Sequence, residues 1–405
     1  MKTYTPSKKI LEKYADVMVN YALNSGKGIK KGEVVQLTAN EASKPLYAAI
    51  YREILKQGGH VIGNFGISEP QYDTSKIFFE EADVKQIQFF PEAYYKGLLE
   101  VVDHSIYIIS EEDPELMKNV DPKKIMQRGE ALKPWREWRT KKENRGEFSW
   151  TLCLYGTEAM AKAAGLSIKE YWNQIIKACY LNDKDPVVTW KKLNSNIQKN
   201  VHKLNTLKIQ KLHIVGADVD LHITLPKKGA WKGGSGANIP SFEIFTSPDW
   251  RGTNGWIRFN QPLYRYGNII KGIKLEFKNG RVVKSSATKN EKVLKEMIAT
   301  KNADKIGEFS LTDARFSKIT KPMADTLYDE NMGGKYGNTH IALGMAYRDC
   351  YQGDPGKVTE KEWEKMGYNF SSVHTDIVST TDRTVTATLA DGTEKVIYKK
   401  GQFTI

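Results

Sequence analysis

In the first half of the chain, short apolar runs alternate with stretches in which apolar residues recur every three or four positions. Ile10, Leu11, Tyr14, Ala15, Met18, Tyr21 and Ala22 fall on one side of a helix and are interrupted by Glu12, Lys13 and Asp16. That is an amphipathic helix, not the unbroken apolar segment of a secretory leader. Glu33 to Leu37 (EVVQL) reads as a strand and Ala42 to Lys56 as a helix. His60 to Asn64 reads as a second strand, entered through the helix stop Gly58-Gly59. A helix over Pro91 to Leu99 leads to a third strand at Val101 to Ile109, and helical spacing continues through Thr157 to Leu181 and Val188 to Leu207. Such alternation predicts βαβ units and a largely parallel sheet.

From about residue 208 the pattern changes. Lys208 to Val215 and Val219 to Leu225 are apolar-rich strand candidates, and Asn279-Gly280 and Asp391-Gly392 each divide a pair of alternating runs. These dipeptides favour the left-handed turns that close two-residue hairpins. Helices are expected at Glu291 to Thr300 and around His340 to Tyr347. The predicted fold is an α/β N-terminal domain, residues 1–207, followed by a β-rich α+β C-terminal domain, residues 208–405. Two domains suit 405 residues at the usual ~100 to 200 per domain. The Gly229 to Gly236 segment (GAWKGGSG) lacks the Lys-Ser/Thr ending of a phosphate loop and reads as a flexible connection.

Composition narrows the class. Apolar residues make up 40% of the chain without a 20-residue apolar run, so a folded globular protein is expected and a membrane span is not. Cys153, Cys179 and Cys350 are scattered and odd in number, which supports neither a disulfide framework nor a thiolate zinc site; a reducing cytoplasm is expected. The net charge of +13 raises the question of a nucleic-acid partner. The densest basic stretch, Lys123 to Arg145, is interleaved with Glu130, Glu137 and Glu143, and its Trp135 and Trp138 follow Pro134. It reads as a solvated helix docked by its tryptophans, so nucleic acid is not an expected partner.

The chemistry concentrates in the last third. Glu243 in NIPSFEIFTSPD and Glu308 in IGEFSL lie between apolar neighbours, where a carboxylate is rarely buried without a partner. His374 and Asp376 are two apart and share a face if the segment is extended. His340 and Tyr347 are seven apart in HIALGMAY and share a face if it is helical. Glu330 stands in LYDENMGG. Four carboxylates and two imidazoles are a ligand set for two adjacent divalent cations, and the mixed oxygen and nitrogen donors suit zinc, cobalt or manganese. Each residue alone also has an ordinary reading, as a surface pair, a packing histidine or a loop carboxylate.

In order and separation, NIPSFEIFTSPD, IGEFSL, TLYDEN, THIALGMAY and HTD resemble the metal-site signatures of the thermophilic aminopeptidase family, the aminopeptidase T, PepS and AmpS-like metallopeptidases, and the likeness extends to the closing GQFTI. The resemblance implies a homodimeric enzyme whose β-rich domain is catalytic and which removes N-terminal residues from peptides with free N-termini. It implies Glu243, Glu308, Glu330, His340, His374 and Asp376 as metal ligands, with Tyr347 beside them. The expected mechanism is attack by a hydroxide held between two metals, with Glu308 bridging and helping to move the proton, and Tyr347 donating to the oxyanion. Two departures stand out. MGGKYGNT separates DEN from the HIALG histidine, leaving Glu330 ten residues before His340, and Phe242 occupies a position that is often polar. The alternatives are a dipeptidase or other metal-dependent amidohydrolase with the same ligands, and a basic nucleic-acid-binding protein.

Overall fold

Alternating burial along Val34–Asn40 and His104–Ile109 marks strands packed on both sides by different surroundings. In the computed structural model, which describes residues 4–265 and 268–405, these two strands pair directly and in parallel. Two compact units divide the chain. The first runs to Asn194 and takes in Ser235–Ser241; the second comprises Ser195–Gly234 and Phe242–Ile405. The division falls inside the helix Pro186–Thr206, ahead of Leu207, and includes a short return segment that local periodicity does not mark.

In the first unit the sheet runs in the order His60–Gly66, Val34–Asn40, His104–Ile109, Ser149–Leu154 and Asn238–Ile239, with every pairing parallel. Helix Lys44–Lys56 starts with Pro45 in its first turn and buries Leu46, Ala49, Ile50 and Ile54, one apolar stripe at helical spacing. On helix Lys133–Asn144, Trp135 packs on Tyr95 and Trp138 on Phe90, at 5.1 and 5.7 Å between ring centroids. The tryptophans of the basic stretch therefore dock their helix.

The second unit is mainly antiparallel. Its eight-stranded sheet is ordered Arg281–Ser286, Lys274–Lys278, Asp249–Arg258, Val219–Thr224, Ile209–Gly216, Arg383–Leu389, Glu394–Lys399 and Gln402–Phe403. Asn279-Gly280 joins two of these strands with φ of 50° and 81°, the left-handed geometry such a turn requires. A second sheet of five strands is ordered His374–Ser379, Asn338–Gly344, Ile306–Thr312, Glu243–Thr246 and Trp231–Gly233.

One expectation is corrected here. The segment around His340 to Tyr347 is not a helix: Asn338–Gly344 is an inner strand, buried at all seven positions. A strand covered on both faces shows no alternation, and its apolar stretch, Ile341 to Leu343, is too short for its period to separate strand from helix. Gly344 ends the strand at φ +104°, and a Cβ there would lie 2.0 Å from the Val373 carbonyl oxygen. The α/β unit followed by a β-rich unit agrees with the expected fold class.

Candidate metal centre

Register explains how distant residues meet. In the five-stranded sheet, Thr312 pairs with Glu243, Ser310 with His340, and Glu308 with Ala342. Ala342 pairs in turn with Asp376, and Gly344 with His374. Paired residues and their second neighbours share one face of a sheet, so Glu243, Glu308, His340, His374 and Asp376 all project from the same side. A bulge between Ile306 and Glu308 accommodates Gly307, where a Cβ would lie 2.2 Å from the Met345 carbonyl oxygen. Ala342 and Gly344 lie between the larger polar side chains and leave them room to converge.

The convergence is close. His340 Nε2 lies 3.3 Å from Glu243 Oε2, 3.4 Å from Glu308 Oε1 and 4.0 Å from Asp376 Oδ1. His374 Nε2 lies 3.5 Å from Glu308 Oε2 and 3.4 Å from Asp376 Oδ1. Glu308 thus turns one oxygen to each imidazole. Side-chain exposure is 1% for His340 and 3% for Glu308, against 11% for Glu243, 12% for Asp376 and 17% for His374, so His340 is the deepest member of the cluster and His374 the most open.

Both imidazoles are oriented from behind. His374 Nδ1–H donates to the Met345 carbonyl oxygen at 2.8 Å, and His340 Nδ1–H to Asn338 Oδ1 at 3.3 Å. Asn338 is held in turn because its Nδ2 donates to the carbonyl oxygens of Glu330 and Met332, at 2.6 and 3.1 Å. Fixing Nδ1 in this way leaves each Nε2 free to act as a ligand. Ser310 Oγ donates to Glu243 Oε2 at 3.2 Å. Glu330 is buried at the end of the short helix Thr326–Asp329, and Asn331 Nδ2 lies 3.4 Å from its Oε1. Asn331 Oδ1 accepts from the Phe242 backbone N–H at 2.7 Å. Tyr347 reaches the site from the loop after Gly344, its ring 4.8 Å from that of His374, not from a helix shared with His340.

The electrostatics are those of crowded, buried carboxylates and imidazoles. Burial, with Glu243 and Asp376 nearby, pushes Glu308 up to about 7 despite its hydrogen bond from His340. Burial and the carboxylates of Glu243 and Asp376 push Glu330 well above the usual carboxylate range. Burial works against charged imidazoles, yet Glu243 and Glu308 hold His340 well above its ordinary value, and Asp376 lifts His374 to about 9. Burial is outweighed at Asp376, which His374 holds below the usual range. Burial and the surrounding carboxylates keep the Tyr347 phenol protonated. Protons and divalent cations are alternative ways to neutralise such a group.

The donors fit a divalent cation. Glu243, Glu308 and His340 form one set and Glu308, His374 and Asp376 another, each with ligand atoms within 4.8 Å of one another. Bonds of ~2.0–2.2 Å place donors on opposite sides of an ion about 4 Å apart, so small side-chain rotations close either set. Asn338, Ser310 and Asn331 were not anticipated. Asn338 lies two residues before His340, the same-face spacing of a strand, and an extended reading of that segment would have marked it.

A β-rich unit that gathers three carboxylates and two imidazoles at one sheet face, with buried Glu330 beside them, has the donor set of a metal-dependent hydrolytic enzyme. The sequence matches the thermophilic metalloprotease family M29 over residues 7–403, and the chain belongs to that family. It is therefore a metal-dependent peptide hydrolase. It is 28% identical to aminopeptidase AmpS of Bacillus subtilis over 97% of this chain and 98% of that protein. It is 28% identical to aminopeptidase PepS of Streptococcus thermophilus, over 98% of each, and 26% identical to aminopeptidase T of Thermus thermophilus, over 98% of this chain and 99% of that one. The fold matches that of wild-type AmpT from Thermus thermophilus with a TM-score of 0.82 at 24% identity, covering 98% of this chain and 100% of that one. A 2,5-dihydroxypyridine dioxygenase from Pseudomonas putida shares the fold more loosely, at a TM-score of 0.53 and 12% identity over 98% of each chain. The family resemblance read from the motifs is borne out.

Proposed function

We propose that the protein is an aminopeptidase that releases N-terminal residues from peptides with a free α-amine, using two divalent cations. The observation that supports this is the position of Glu308, shared by two three-donor sets. Glu243 and His340 would complete one set and His374 and Asp376 the other, with Glu330 as a further carboxylate at the first. Zinc, cobalt and manganese all suit these donors. When bound, such a pair supplies Lewis acidity toward a carbonyl and makes water a nucleophile near neutral pH.

The chain's own residues divide the remaining work. Glu308, shared by the two donor sets, would bridge the cations and help to move the proton from water to the leaving amine. Tyr347, held in its protonated form, donates from Oη to the developing oxyanion. A substrate with a free α-amine is supported by the family motifs and by relatives named as aminopeptidases. The family resemblance of the motifs supports a homodimer, and three scattered cysteines suit a reducing cytoplasm.

The test is leucine release from a short peptide and from its N-acetylated counterpart, before and after chelation and in His374→Ala and Tyr347→Phe enzymes. Only the free-amine peptide should be cleaved, chelation and His374→Ala should abolish release, and Tyr347→Phe should lower turnover roughly 10- to 100-fold, below the full loss of an oxyanion donor. Equal cleavage of the blocked peptide would replace this reading with an amidohydrolase that ignores the amine. Full activity in the chelated and His374 enzymes would remove the metal role.

A further inference from the structure

A second group of metal-ligating side chains lies on the eight-stranded sheet of the same unit. Strands Ile209–Gly216 and Val219–Thr224 form a hairpin held between Arg383–Leu389 and Asp249–Arg258. His213 pairs directly with His222 across it. Asp220 is two residues before His222, so alternation puts all three side chains on one face. The imidazole rings stack with centroids 4.0 Å apart and an interplanar angle of 12°. Both turn Nε2 toward one carboxylate oxygen: Asp220 Oδ1 lies 2.8 Å from His213 Nε2 and 3.9 Å from His222 Nε2.

An exposed histidine–aspartate hydrogen bond accounts for His213. It does not account for His222, whose Nε2 faces the same oxygen from beyond hydrogen-bond range while its ring covers a second imidazole. Two stacked imidazoles therefore bring both Nε2 donors to one carboxylate oxygen. One cation between them and the carboxylate satisfies all three groups.

We propose that His213 Nε2, His222 Nε2 and the Asp220 carboxylate bind one borderline divalent transition-metal ion of the zinc, nickel or copper class. Imidazole donors select these ions, copper(II) most tightly, whereas calcium and magnesium prefer sites built from oxygen alone. Metal bonds of ~2.0–2.2 Å put neighbouring donors about 3 Å apart, and the three ligand atoms already lie within 4.8 Å of one another. Flanking strands fix the backbone, so only the exposed rings need to turn. Side-chain exposure of 40% for His213 and 59% for His222 leaves the remaining coordination positions to water. The site is independent of the Glu308 cluster and should fill at higher metal concentration.

The test uses the full chain with its Glu308 centre already loaded. Copper(II) binding is followed by equilibrium dialysis and electron paramagnetic resonance in the wild type, a His213→Gln/His222→Gln variant and an Asp220→Asn variant. The wild type should hold one more ion per chain than the double variant, with hyperfine coupling to two imidazole nitrogens, and Asp220→Asn should bind at least tenfold more weakly. Peptide hydrolysis and the chelator-treated Tm of the double variant should match the wild type. Equal copper stoichiometry and affinity in the wild type and the double variant would overturn the proposal, as would a copper spectrum unchanged by removing both histidines.

Discussion

Glu243 and Glu308 stood out as carboxylates between apolar neighbours, His374 and Asp376 as a pair two apart, and His340 through the family motif; a shared sheet face brings the five together. What holds them was not legible. Asn338 acts on His340 through a hydrogen bond that exists only when both lie on one strand face. Its amide also satisfies two buried carbonyl oxygens, which fixes the direction in which its own oxygen points. Removing a partner that orients a ligating histidine weakens metal affinity or activity about 10- to 100-fold. Asn338→Ala should show a loss of that size by metal titration. An unchanged affinity would mean that packing alone orients the His340 ring.

Elements with mixed surroundings announced themselves. Strands Val34–Asn40 and His104–Ile109 of the parallel sheet are buried at alternate positions, and the Asn279-Gly280 turn carries its own backbone preference. Ser149–Leu154 did not, because Trp150 and Thr151 blur its apolar run, and Asn238–Ile239 joins the sheet edge through a pairing more than eighty residues away in sequence. Asn338–Gly344 failed for the opposite reason, being buried at every position, polar Asn338, Thr339 and His340 included. Its end is fixed by Gly344, whose left-handed backbone and contact with the Val373 carbonyl oxygen leave no place for a side chain. Gly344→Ala should cost at least about 2 kcal/mol, since strain at such positions costs ~1–3 kcal/mol before any clash. For a unit of this size that is a Tm lower by roughly 4–8 °C. Because Gly344 pairs with His374, metal affinity should fall with it.

For the molecule as a whole, folding must bring mutually repelling carboxylates to one place, so stability and charge balance are linked. A histidine raised to about 9 stabilises the folded chain fully below its ordinary value of ~6.5, and that contribution is lost as pH rises through 9. A glutamic acid raised to about 7 likewise disfavours the fold as it ionises between its ordinary ~4.3 and 7. Chelator-treated protein should therefore lose Tm from pH 6 to pH 9. Metal binding gains over the same range because protons no longer compete. The difference in Tm between zinc-loaded and chelated protein should widen with pH, and at one hundred times Kd the metal adds about 2.7 kcal/mol. A difference that narrows with rising pH in calorimetry would contradict this linkage.

The uneven depth of the cluster has a kinetic meaning. A cation held by Glu243, Glu308 and His340 would rest on the deepest imidazole, and one held by Glu308, His374 and Asp376 on the most open one. The outer ion would be the labile one, traded with the surroundings while the inner ion stays anchored, so depletion should proceed in two unequal phases.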